Sequence, residues 1–424
     1  MNTGNASMAP TSRSNRLFII DFLRGAAILG LILANMSFYN TPFHAQTGEF
    51  TLWDDTANRI ANLFIWFFVE GKFYPLFSLL FGMGFYLFLQ KANDSMDKVV
   101  LTFRKRLFFL LLFGLLHVLL LWYADILIVY ALFGLILTWF RNRSDRTILR
   151  SAIIFIMIPV VVVGLSIGFL KLAMMVPEAA ESIEANFAYQ MTQTEELIDE
   201  TITTYSTGSF AEIVSMRLAE YANTLPGYLF FYPNFLAMLF VGFYIGRKKI
   251  FENPASGLSV WKRVFWWCLP LALVFNLVVA YYNQTASYIF PDWDLLLITI
   301  GYGIGGPSMM FVYIYILGVI YHKNLLKKIT YAICRTGQMA FTNYLTHSII
   351  CTTLFYSYGF GLYGKVNYWQ GIIIALAIYI IQVIWSHYWL TYFRFGPFEW
   401  LWRSLTYGKR QPMKRGNSHN HIKT

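Results

Sequence analysis

The residues of this 424-residue chain that could do chemistry are the few ionisable and amide side chains set inside long apolar runs. A charge inside a membrane-length segment is costly, so it is normally paired or functional. Asp21 and Arg24 stand three apart in the run 17–38, and Asn35 falls on the same helix face close to four turns later. They read either as a self-neutralising pair that packs helices or as a polar stripe lining a cavity entered from the cytoplasmic side. His117, in Gly114-Leu-Leu-His117, is mid-segment, and Asp125 follows at a helix-to-helix turn. A carboxylate beside an imidazole fixes its tautomer and raises its basicity, so the pair is a candidate general base with its orienting partner. The plainer alternative is a hydrogen-bonding spacer.

Asn343 and His347 share a second helix face. They offer a further polar spot, or hydrogen bonds between helices. Lys72, in Gly71-Lys72-Phe73, opens an apolar segment and is expected to snorkel to the external interface. Gly82 and Gly84 are small residues that permit close helix contact.

The elements that must position these groups are membrane helices. Hydrophobic residues make up 57% of the chain and charged ones only 13%, against about 25% charged in soluble domains. The expected fold is all-α, a polytopic transmembrane bundle of about ten spans: 17–38, 73–90, 105–122, 125–140, 151–173, 228–246, 264–283, 295–321, 338–357 and 370–392. Residues 1–15 read as a disordered cytoplasmic tail, 16–392 as the bundle and 393–424 as a cytoplasmic C-terminal tail. Ile60–Glu70 is apolar but short and reads as an interfacial or re-entrant lead into the second span.

Loop charges set the orientation. Arg13 and Arg16 precede the first span, and basic residues crowd every second loop up to Arg394, Arg403 and Lys409 after the last. The intervening loops are acidic or near neutral; the largest, 174–227, carries nine carboxylates against Arg217. This alternation predicts both termini inside a bacterial cytoplasmic membrane, with 174–227 an external cap holding short helices. It also accounts for the net charge of +11 without nucleic acid. Cys268, Cys334 and Cys351 form no Cys-x-x-Cys pair, so no zinc site is expected, nor any other metal. No HExxH, GxSxG or phosphate-loop motif is present.

Asp21-Phe-Leu-Arg24-Gly25 with Asn35, Gly71-Lys72-Phe73 with Leu80-Phe81-Gly82, Gly114-Leu-Leu-His117 with Asp125-Ile-Leu, and Met339-Ala-Phe-Thr-Asn343-Tyr344-Leu together resemble the YeiB family of bacterial membrane proteins. The most specific match is Phe395-Gly-Pro397-Phe-Glu399-Trp400-Leu-Trp402-Arg403-Ser-Leu-Thr. Gln338 stands where that family usually has Arg, and His347 where it often has Gln. The Asp-x-x-Arg-Gly start is also similar to transmembrane acyltransferases of the heparan glucosaminide acetyltransferase type. Those enzymes carry an acyl group from cytosolic acyl-coenzyme A to an acceptor on the far side, and a histidine in their first external loop matters. His44 lies in the corresponding loop here.

That resemblance implies acyl transfer from acyl-coenzyme A as donor substrate. Arg16, Arg24 and Arg106, with Asp21, would meet the donor at the cytoplasmic mouth. His117 would act as base with Asp125, while Asn35, Lys72, Asn343, His347 and His44 would line the substrate path. The alternatives are a small-solute transporter and a non-enzymatic envelope sensor or assembly partner. The expected partners are the lipid bilayer and a small molecule, with a homodimer also allowed.

Overall fold

A computed structural model describes residues 18–46, 50–90, 95–252 and 254–415. Arg16 and the 1–15 tail lie outside them. Among the described residues the chain is helical throughout, and its one extended pairing is an isolated bridge between Phe393 and Lys414.

The first half comprises α1 (Phe18–Asn40), α2 (Thr56–Phe64), α3 (Phe73–Leu89), α4 (Met96–Leu120), α5 (Leu127–Trp139), α6 (Asp145–Ala173), α7 (Pro177–Thr207) and α8 (Phe210–Arg247). The second comprises α9 (Pro254–Tyr282), α10 (Trp293–Ile300), α11 (Gly306–His322), α12 (Lys327–Gln338), α13 (Ala340–Phe355), α14 (Tyr368–Tyr392) and α15 (Pro397–Tyr407). A short 3₁₀ turn covers Phe43–Gln46, and π-turns join α2 to α3 at Ile65–Val69 and α10 to α11 at Gly301–Gly305.

A helix stands at each of the ten expected segments. Among the described residues, six helical runs are long and apolar enough to cross a membrane, or seven if the two arms of α8, bent near Pro226, count as one span. The other three fall short for visible reasons. α4 carries Arg104, Lys105 and Arg106 inside its length, α5 has 13 residues, and α13 has 16. The long acidic segment also departs from expectation. It forms the single 31-residue α7 and the first arm of α8 instead of several short helices. Pro177 opens α7 where a missing N–H costs nothing, and a capping box of Ser209 and Glu212 opens α8.

α1 is the central post. Two thirds of its apolar window is buried, against 11% for the rim helix α6. It packs on α3, α12, α13 and α14. Gly337 of α12 lies against the Asp21 carbonyl, where any Cβ would clash, and Gly82 of α3 lies equally close to the Leu239 carbonyl of α8. Gly82 is thus the close-contact residue its type predicts.

The C-terminal segment is part of the bundle. Pro397 starts α15, whose Glu399 accepts from the backbone N–H groups of Phe341 at 2.8 Å and Thr342 at 3.0 Å. The Trp402 indole donates to the Arg106 carbonyl at 2.9 Å, while the Arg106 guanidinium stacks 3.9 Å over the Trp402 ring. The Phe395-to-Thr406 signature thereby fastens α15 to α13 and α4.

Candidate functional site

The break between α2 and α3 is built first. The Ile65–Val69 π-turn shifts the hydrogen-bond register, and Gly71 takes a φ of 81°, which glycine adopts without strain. The carbonyls of Trp66 and Glu70 then need donors. Lys72 supplies them: its Nζ lies 2.5 Å from each, and the side chain is wholly buried. The expected snorkelling is therefore corrected, because the freed carbonyls hold the ammonium inside. This turn leaves Glu70 facing inward, where its carboxylate accepts from the Tyr302 hydroxyl of the second π-turn. Tyr302 in turn accepts from Asn283 Nδ2 at 3.0 Å.

Glu70 and Tyr302 belong to the wall of a cavity of about 260 Å³. α1 contributes its C-terminal part, from Leu31 through Asn35 to Asn40, and His44 follows on the 3₁₀ turn. Rings from Trp66, Phe73, Tyr74, Tyr232 and Tyr288 complete much of the surface. The cavity therefore lies at the end of the bundle where α1 finishes, and Asp21 and Arg24 lie outside it. They form an ion pair at 3.3 Å near the opposite end of α1. Burial pushes the His44 imidazole below its usual 6.5, because the charged ring loses water.

His117 and Asp125 do meet. Leu121 and Trp122 donate backbone N–H groups to the His117 carbonyl, closing α4 into the turn that returns as α5. Nδ1 of His117 lies 3.0 Å from Asp125 Oδ2, and neither side chain is exposed. On its other side, Nε2 lies 2.7 Å from Ser348 Oγ, which lies 2.7 Å from the Tyr39 hydroxyl. Asp125 Oδ1 accepts from the Ile128 N–H at 2.8 Å. A polar chain thus runs Asp125–His117–Ser348–Tyr39 across α4, α13 and α1. Asp125 is part of the cavity wall, whereas His117, Ser348 and Tyr39 lie behind it.

His347, next to Ser348 in sequence, points elsewhere. It pairs with Gln382 Oε1 of α14 at 2.7 Å, and Gln382 donates to the Asn343 carbonyl at 2.9 Å. Asn343 Nδ2 reaches Ser386 at 3.0 Å. These residues knit α13 to α14, away from the cavity. Arg106 sits under Trp402, near enough for the charges of Arg24 and Arg403 to bear on it.

The structure adds Glu70, Ser348, Tyr39, Asn40 and Tyr302 to the residues singled out from sequence. Glu70 borders the Gly71-Lys72-Phe73 motif and carried a signal as a carboxylate ending an apolar run. Ser348 and Tyr39 carried none, since hydroxyls are common in membrane helices.

These features define a multi-pass helical membrane protein with a largely apolar cavity at one end that holds a few polar groups. Residues 245–409 match a family described as a protein of unknown function, DUF418. The chain is 31% identical to uncharacterized protein YxaH of Bacillus subtilis (strain 168), over 97% of this chain and 99% of that one. It is 27% identical to uncharacterized protein YeiB of Escherichia coli (strain K12), over 91% and 95% of the two chains. An uncharacterized 39.9 kDa protein from the amylase 3′ region of Bacillus acidopullulyticus is also 27% identical, over 96% and 98%. The chain belongs to this YeiB-type family. No solved structure matches.

Proposed function

We propose that this protein is a ten-span acyltransferase of the bacterial cytoplasmic membrane, with both termini inside. It moves an acyl group from cytosolic acyl-coenzyme A to an acceptor held in the cavity. The observation that carries this reading is the position of His44: its imidazole, kept neutral by burial, borders the same cavity as Glu70 and Asn35. At the other end of α1, Arg24 and Arg106 with Arg403 gather positive charge suited to the donor's phosphates. The donor's negative charge and the acceptor's nucleophile are thereby given different ends of the bundle.

In the reaction the acceptor's hydroxyl or amine gives its proton to His44 as it attacks the thioester carbon. The carbon–sulfur bond breaks, and the coenzyme A thiolate leaves to be protonated. His117 has no exposed surface, with Nε2 bonded to Ser348 and Nδ1 3.0 Å from Asp125 Oδ2, so it serves with Asp125 as a positioning pair behind the cavity wall.

Purified protein in liposomes, supplied with labelled acetyl-coenzyme A or longer acyl-coenzyme A, tests the reading. Binding of the donor and appearance of label on an acceptor are expected. His44→Ala is expected to retain donor binding and lose about 10²–10⁴-fold in transfer rate. Absence of binding by every acyl-coenzyme A would overturn the reading.

A further inference from the structure

The cavity's charge is one-sided. Its charged lining residues, among those described, are Glu70 and Asp125, and no lysine or arginine belongs to the lining, although the chain as a whole carries +11. Lys72 is near enough for its charge to bear on Glu70, but its ammonium is tied to the backbone carbonyls of Trp66 and Glu70 and lies outside the lining. The remaining surface is rich in aromatic side chains, notably Trp66, Tyr74, Tyr232, Tyr288 and Tyr302. A carboxylate among aromatic rings attracts cations, since each ring presents its negative quadrupole face. Such a surface repels the phosphates of a nucleotide.

An unused acceptor lies in the same wall. Asn40 is 1% exposed, and its Nδ2 is spent on the Val366 carbonyl. Its Oδ1 has no donor. A buried amide oxygen without a donor is costly unless a ligand or water supplies one.

From this geometry we propose that the cavity is a binding site for a small organic cation, an amine or quaternary ammonium, held by the Glu70 carboxylate and the surrounding rings. An N–H or O–H of the ligand satisfies Asn40 Oδ1. A lumen of about 260 Å³ suits an amino alcohol or a short amine. Only the further step of naming this cation as the acyl acceptor rests on the acyltransferase reading. On that step an amine would lose its proton to His44 before attack, and a quaternary ammonium would react through a hydroxyl.

The test is binding by the full-length protein in detergent, without any acyl donor, using choline, ethanolamine and 3,3-dimethylbutan-1-ol, the uncharged carbon isostere of choline. Calorimetry is expected to show choline or ethanolamine binding at least about tenfold tighter than the isostere. Glu70→Gln is expected to remove that preference. Equal affinity for choline and its isostere, or no binding of either cation, overturns the proposal. Should Glu70→Gln fail to fold, the wild-type ranking of cation over isostere still decides. The two readings fail separately. Cation binding with no acyl-coenzyme A binding sinks the acyltransferase and leaves the cation site. Acyl transfer to a neutral alcohol, with no cation binding, does the reverse.

Discussion

Glu399 closes the N-terminus of the helix that carries Thr342. One carboxylate oxygen takes the Phe341 and Thr342 N–H groups and the other takes the Thr342 hydroxyl at 2.5 Å. The first amides of a helix have no partner within it, and a carboxylate there also meets the positive end of the helix dipole. Hydrogen bonds to a charged group contribute about 1.5–3 kcal/mol. Glu399→Ala is therefore expected to lower the melting temperature of the purified protein and its membrane yield. An unchanged melt would show that α13 holds without this cap.

His117 is expected to behave as a structural hinge of the cavity floor. His117→Ala leaves the buried Asp125 carboxyl without that neighbour, and a buried polar group left short of a partner costs about 1–3 kcal/mol, more where it is charged. Ser348→Ala removes one neutral hydrogen bond, worth about 1 kcal/mol. Folded yield should thus fall steeply for the first variant and slightly for the second. Equal, small effects on the melt would count against the Asp125–His117 contact.

Lys72→Met keeps the length of the side chain and removes its donors. The Trp66 and Glu70 carbonyls are then left bare, at a cost of about 1–3 kcal/mol for a buried polar group without a partner. A clear drop in melting temperature is expected, together with loss of any ligand binding at neighbouring Glu70. A snorkelling lysine would tolerate the change.

The histidine of the 3₁₀ turn sets a pH signature. Burial lowers the His44 value below 6.5 in the folded protein. A depressed value means that the folded state binds fewer protons than the unfolded state in the window between the two. Stability is therefore full above 6.5 and falls as pH drops through the folded value. Melts of wild type and His44→Gln should diverge only in that acidic window. Transfer that needs the neutral base should fall over the same range and stay level above it. Parallel melts across pH 5–8, about the range where histidine titrates, would remove His44 from this role.

Orientation is open to a direct measurement. Reporter fusions after Arg146 and Lys249 should read cytoplasmic, and one near Glu196 external, if basic loops stay inside. An external signal at Lys249 would break the ten-span arrangement.

The helical character was legible because apolar runs and basic loops are local properties of the chain. That Asp125 could reach His117 was legible for a related reason, since the two flank one tight turn; the contact itself came from the packing of α4 and α5. Asn35 reached the cavity, but the stripe expected to join it to Asp21 does not, since the lining of α1 begins at Leu31. The partners of His117 were not legible. Ser348 is 231 positions away, and only the packing of α13 against α4 brings it near. Lys72 misled because its buried fate depends on carbonyls freed by a π-turn, which leaves no plain mark in residue types. The Phe395-to-Thr406 signature was visible as a motif, whereas its work on α13 depends on a contact spanning 57 positions.

That separation gives assembly an order in time. A ribosome releases Thr342 well before Glu399, so the helix bearing Ser348 enters the membrane with its leading amides still bare. The cap on α13 can form only once the later segment has emerged and folded back. A nascent protein that stops before Glu399 then lacks the carboxylate that caps α13.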